Sequence, residues 1–205
     1  MSFLRFSRVQ LSNKLEQLPL PLGLIFAASC AERLLPAYIT FSELAEHGEP
    51  ETLMSILARL WRNIGGERMT ESEVQASLDS CTELIPSDDN ESLDVEPAYA
   101  ENASAALAYA LTSLQKCDSR EAMWSAEQAY EALDHFVVNR DNVNLNALGA
   151  EGRILADPLI QAELARQLRD IDELLGAADE DVKQVAARFR DRAKAEGMIF
   201  FGTPS

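Results

Sequence analysis

The chain has 205 residues, 47% of them hydrophobic, which is enough for one domain with a continuous core and too many for a disordered chain. Its 34 acids against 18 lysines and arginines leave a net charge of −16, which repels phosphate and anionic lipid; the expectation is no nucleic-acid partner and no membrane. Cys30, Cys81 and Cys117 are far apart, odd in number and form no CxxC, the pattern of free thiols in a reducing, cytoplasmic compartment.

Leu4, Leu11, Leu15 and Leu18 predict an amphipathic helix at the start. Arg5, Arg8 and Lys14 then precede an uncharged run from Gln17 to Ala31, within which Ala27-Ala28-Ser29-Cys30 has the outline of a lipoprotein cleavage site. Pro19 and Pro21 interrupt the run, and Ala27 stands where such a site carries a large aliphatic residue. The run is also shorter than the roughly 20 residues of a membrane span. The expectation is a core helix rather than an export signal.

Leu22–Ala31 is apolar on every face of a helix and is predicted to be buried all round. Glu32 and Arg33 are its first charges, one turn before Pro36, which is expected to break or kink the helix. An unpaired buried ion costs several kcal/mol, so Arg33 is predicted to pair with Glu163 or another acid and to lock two helices together. Glu32, Arg33, Tyr38, Glu163 and Gln167 form the candidate polar site, with a structural tie as the simpler reading and a pocket as the functional one.

Further along, Leu53, Ile56, Leu57, Leu60, Trp61 and Ile64 make one helical stripe between Pro50 and Gly65-Gly66. Thr70 with Glu73 reads as a capping box, opening a helix with Val74, Leu78, Cys81 and Ile85 on one face until Pro86. Residues 86–95 are a polar connection. Glu96–Lys116 is alanine-rich and carries no charge over residues 102–115, which predicts a central helix in close contact with its neighbours. Asp118-Ser119 can cap a helix running to about Val138, followed by a loop containing Asn142, Asn144, Asn146 and Gly149.

Asp157-Pro158 supplies a cap and a first-turn proline for a helix with the stripe Ile160, Leu164, Leu168, Ile171 and Leu175; Glu163 and Gln167 lie at its edge, and Gly176 can end or bend it. The last helix carries Val182, Val185, Ala186, Phe189 and Ala193 and ends at Gly197. Lys183, Arg188, Arg190, Arg192 and Lys194 beside that face suit the negative end of the helix dipole better than a nucleic-acid site. Together these elements predict an all-α chain, a single multihelical domain over residues 1–205. It has about eight helices in orthogonal or bundle-like packing and a short apolar tail at 197–205.

No Gly-rich phosphate loop, GxSxG elbow or HExxH pair occurs. Glu127, Glu131 and His135 would share a helical face, and Glu43 precedes His47 by four residues. Dimetal bundles space Glu and His by three, so no metal site is predicted. His47 reads as a helix-end residue and Cys30 as an inert buried thiol. Residues 67–118 hold twelve acids against Arg68 and Lys116 alone, an acidic face that is either solvated or open to a basic partner.

Cys30-Ala31-Glu32-Arg33 followed by Pro36, Tyr38 and Phe41 resembles the YjaG-like bacterial proteins, a family of unknown function (DUF416). Ile85-Pro86-Ser87 before a run of acids, Pro97-Ala98 opening the alanine-rich helix, and Pro158 with Glu163 and Gln167 fall in matching order, while Ser119–Ala156 matches poorly. The resemblance implies an all-helical fold in a bacterial cytoplasm and assigns no substrate, cofactor or catalytic residue. The leading expectation is a non-enzymatic protein–protein interaction module, as a homodimer or with another protein. Its motive is the missing catalytic constellation and the apolar tail Met198-Ile199-Phe200-Phe201. The alternatives are a small-ligand or divalent-metal protein using carboxylates near Glu32, and an acidic face at 67–118 for a basic protein.

Overall fold

A computed structural model of the chain describes residues 3–85 and 97–198. Those residues form nine α-helices and one 3-10 turn, with no strand among them. α1 (Arg8–Leu15) starts late because Ser7 caps it, its Oγ accepting from the Gln10 N–H. Leu4 therefore lies in an irregular N-terminal strap of residues 3–7, and Leu18 lies in the turn before α2.

α2 (Leu20–Ala45) opens with Pro19 as its cap and Pro21 in the first turn, where a missing N–H costs nothing. Leu22–Ala31 is buried, as the all-apolar pattern predicted, and burial continues through Glu32, Arg33 and Leu34. Among the described residues α2 is the one helix long and apolar enough to cross a membrane, and 83% of its most apolar stretch is buried inside the fold. Of the break or kink expected at Pro36, the break does not occur, since the helix continues to Ala45. Proline removes one ladder donor and crowds the carbonyl a turn earlier. Beside it, the Arg33 carbonyl accepts from the Met198 N–H at 2.7 Å, so the end of the described chain supplies a hydrogen bond where the ladder is weakened. A Cβ on Gly197 would fall 2.9 Å from the Pro36 ring, which is why glycine precedes that contact. Met198 is buried on the chain's own core. The rest of the apolar tail, from Ile199, is outside the described residues.

α3 (Pro50–Ile64) buries the predicted stripe, and α4 (Glu71–Glu83) opens on the predicted capping box, with both reciprocal bonds formed between Thr70 and Glu73. α4 ends before Ile85, which is exposed rather than part of the buried face. α5 (Ala98–Lys116) lies along α2 on one side and along α6 (Ala122–Arg140) on the other. Ala100, Ala103, Ala106 and Ala110 are buried there, and small side chains let helix axes approach to where any added methylene is felt. Ser125 Oγ donates to the Ala106 carbonyl across that contact at 2.8 Å. Asp118 caps the 3-10 turn Ser119–Glu121 that precedes α6. Gly23 allows α2 to meet this turn, because a Cβ would come within 2.7 Å of Ser119.

One helix lies where the composition read as loop. α7 (Ala150–Leu155) is only six residues long, too short for propensity to sustain, and exists because Ile154 and Leu155 are buried. It brings the described residues to nine helices, where about eight were expected. α8 (Pro158–Gly176) and α9 (Val182–Ala195) follow, capped by Asp157 and Asp181. All nine helices contribute to one hydrophobic cluster.

Candidate functional site

Arg33 is fully buried on α2. Its Nη2 donates to Glu163 Oε1 at 2.9 Å and its Nη1 to Asp170 Oδ2 at 3.0 Å, both acids being on α8. Nη2 also reaches Cys30 Sγ at 3.4 Å. Burial works against the charge, but the Glu163 and Asp170 carboxylates outweigh it and hold the guanidinium above its ordinary pKa. Burial pushes the Cys30 thiol up to about 12, which leaves it protonated and unreactive.

Around this centre the charges balance. Asp170 Oδ1 accepts from Arg169 at 2.8 Å and from Arg192 of α9 at 3.0 Å. Arg192 also reaches Glu173 at 2.6 Å, Arg169 reaches Glu196 at 2.8 Å, and Arg166 lies 3.6 Å from Glu163 Oε2. Four guanidiniums thus face four carboxylates, from a fully buried centre to a half-exposed rim. Two buried atoms at the centre, Arg33 Nε and Glu163 Oε2, have no hydrogen-bond partner among the described residues. The cluster ties α2, α8 and α9 together and contains no nucleophile paired with a base.

Gln167 belongs to this group. Its Nε2 donates to Glu163 Oε1 at 3.1 Å and to the Ala126 carbonyl of α6 at 2.9 Å. The structure therefore brings together Arg33, Glu163 and Gln167 of the predicted set and leaves Glu32 and Tyr38 apart. Glu32 leaves α2 in another direction, where its Oε2 accepts from Trp61 Nε1 at 2.6 Å and lies 3.8 Å from Arg190. Tyr38 sits by the α2–α3 turn, its hydroxyl accepting from the Glu49 N–H at 3.3 Å. Asp170, Arg169 and Arg192 were missed. The signal was present: Glu163, Gln167 and Asp170 are spaced by four and three, on one helical face with Ile160, Leu164, Ile171 and Leu174. Leu168 and Leu175, assigned to the buried stripe from their hydrophobicity, are only half-buried, and Glu163 and Gln167 stand inside the buried face rather than at its edge.

Burial raises the pKa of Glu32 above its ordinary 4.5, outweighing the Trp61 hydrogen bond and the Arg190 and Lys194 charges. The folded chain then binds this proton more tightly than the unfolded one. The resulting stability is complete below about pH 4.5 and is lost as pH rises through the raised value. Glu32→Gln keeps an acceptor for Trp61 and removes the titration. Urea unfolding across that range should show the variant gaining on the wild type as pH rises; a gap that stays constant or narrows contradicts this.

Among the described residues no three His, Cys, Asp or Glu side chains group closely enough to hold a metal ion. Glu127 is taken by Arg8 at 2.6 Å, and His135 is exposed. Of the acids at 67–118, Asp88, Asp89, Glu91, Asp94 and Glu96 lie outside the described residues.

The N-terminal strap lies beside α8. Gln161 clips its backbone, Oε1 accepting from the Leu4 N–H at 2.9 Å and Nε2 donating to the Leu4 carbonyl at 3.0 Å. Phe6 stacks on Tyr130 at 5.2 Å. A cleft of about 450 Å³ separates the strap and α1 from α8, walled by Phe3, Leu4, Leu11, Leu164 and Leu168, with Gln167 also lining it. A second, of about 330 Å³, lies on the other side of Phe6 against Tyr130, Asp134, Leu145 and Ile154.

Fold and site define an all-α protein whose central helix is tied to its neighbours by a buried, charge-balanced cluster. The family model of DUF416, proteins of unknown function, matches residues 10–202, and the chain belongs to that family. Its structure is similar to the crystal structure of a DUF416 family protein from Shewanella baltica OS155. The TM-score is 0.75 over 93% of this chain and 96% of that one, at 19% identity, a likeness that shows the shared fold. No curated protein matches the chain.

Proposed function

We propose that this chain is a non-enzymatic helical protein that works through protein–protein contact, with the strap side of the molecule as its contact face. The observation that carries the reading is the placement of exposed apolar side chains. Phe3, Leu145, Leu148 and Leu159 are 48%, 64%, 104% and 41% exposed, and they fall on the strap, the loop before α7 and the first turn of α8. Phe3 lines the larger cleft and Leu145 the smaller one. Exposed apolar residues gathered beside concave surface mark contact sites more often than isolated ones do. The tail is a weaker motive than before, since Met198 is spent on the chain's own core. The partner is a second copy, making a homodimer, or a different protein.

Proximity labelling in the native cells, with wild type and with a Phe3→Ser/Leu145→Ser/Leu148→Ser variant, tests this together with sedimentation of both. A defined set of labelled proteins, or a dimer, that is lost in the variant while its helical circular dichroism is unchanged supports the reading. Identical labelling and sedimentation for the two proteins would overturn it.

A further inference from the structure

The cleft between the strap and α8 has an unusual floor. Gln167 is 2% exposed, and its Nε2 is committed to the Glu163 carboxylate and the Ala126 carbonyl, which fixes the orientation of its amide. Its Oε1 accepts no hydrogen bond from the described residues, and the side chain lines the cleft. That oxygen is open to the cleft rather than sealed in the core, so a donor on whatever enters can reach it. The walls are apolar, and Arg5 and Lys14 stand among the lining residues.

Those two cations belong to a local reversal of charge. The first fifteen residues carry Arg5, Arg8 and Lys14 and no acid, in a chain of net charge −16. Arg5 is held by Glu151 at 3.4 Å and Lys14 by Asp172 at 2.6 Å, pairs of largely exposed side chains that a new carboxylate can exchange into at little cost. Apolar walls, cations and one free acceptor open to the cleft together describe a ligand with apolar side chains, carboxylates and an N–H. A fatty carboxylate has no N–H for Gln167. We propose that this cleft docks an acidic, apolar peptide segment of a partner protein, with one backbone N–H donated to Gln167 Oε1. The proposal rests on the interaction reading above and names the partner's chemistry. Because Glu163 Oε1 is shared by Gln167 and Arg33, the occupant would hydrogen-bond to the same side chain that bonds the buried ion cluster.

The test uses the full chain and a phage-displayed library of random short peptides, with the best binder labelled with fluorescein for anisotropy. The selected sequences should combine Asp or Glu with Leu, Ile or Phe. Arg5→Glu/Lys14→Glu, at an exposed and a half-buried position, should weaken binding about tenfold and remove most of its salt dependence. Leu168→Asp should abolish binding, with circular dichroism reporting that the variant is folded. Single N-methylation along the peptide should find one amide that matters in the wild type and not in Gln167→Leu. Selection of no acidic apolar sequences, or binding indifferent to both Arg5→Glu/Lys14→Glu and Leu168→Asp, overturns the proposal. So does a dimer that Arg5→Glu/Lys14→Glu dissolves, or a fluorescent fatty carboxylate that occupies the cleft where no peptide does. If labelling still depends on Leu145 and Leu148 in those cases, the interaction reading survives and only the peptide site falls.

Discussion

Arg33→Met is expected to destabilise the fold by about 3–5 kcal/mol, the cost of leaving a buried charge without its partner. For a chain of this size that corresponds to a fall of roughly 6–20 °C in Tm. The loss does not fall equally on the two acids. Asp170 keeps Arg169 and Arg192, whereas Glu163 keeps only the Gln167 amide and Arg166 at 3.6 Å. Arg33→Met/Glu163→Met should therefore recover much of the stability, since replacing both members of a buried pair by apolar residues is often neutral or better. Arg33→Lys should remain impaired, because an ammonium is a compact point charge and cannot present two donors to two carboxylates in the fixed geometry of a guanidinium. Urea unfolding followed by circular dichroism measures all three. A loss below about 1 kcal/mol for Arg33→Met would mean that the centre of the cluster is hydrated and the helices are held by apolar packing alone.

Phe26→Ala should cost a similar amount, about 3–5 kcal/mol, for a different reason. Phe26 is fully buried in α2, which is packed against α3, α5, α6, α8 and α9, so no single neighbour can move in to fill the cavity. Leu44, near the end of the same helix, is 54% exposed, and Leu44→Ala should stay within about 0.5 kcal/mol. Thermal unfolding of the two variants side by side separates a buried position of α2 from an exposed one. Equal losses would contradict the burial of α2.

Much of the helical plan was legible because local chemistry set it. The Thr70–Glu73 box, the Asp157-Pro158 start and the stripe from Leu53 to Ile64 each act within a few residues, and the structure keeps them. Pro36 does not end α2, which continues to Ala45, and beside it the Met198 N–H reaches the Arg33 carbonyl from far along the chain. α7 was missed because its six residues are helical by burial rather than by propensity.

The candidate site was half legible. An arginine at the end of an all-apolar helix must be paired, and Glu163, at the edge of the α8 stripe, was named as its partner with another acid left open. Asp170 was not, because the buried face of α8 was assigned by hydrophobicity, and hydrophobicity selects Leu168 and Leu175 over the three polar residues that are in fact inside. Glu32 was grouped with Arg33 by adjacency. On a helix, adjacent side chains point about 100° apart, and here they serve different helices.

By itself, then, the sequence determined that the chain is all-helical, that Leu22–Ala31 is core and that Arg33 needs a buried acid, because those follow from periodicity, capping and the cost of a lone charge. Only the tertiary structure decided which acids answer Arg33, that Glu32 turns instead to Trp61, and that the strap leaves a cleft with Gln167 at its floor. Those outcomes depend on how α2, α8, α9 and the first fifteen residues meet in space, and no spacing along one helix encodes where another helix will lie.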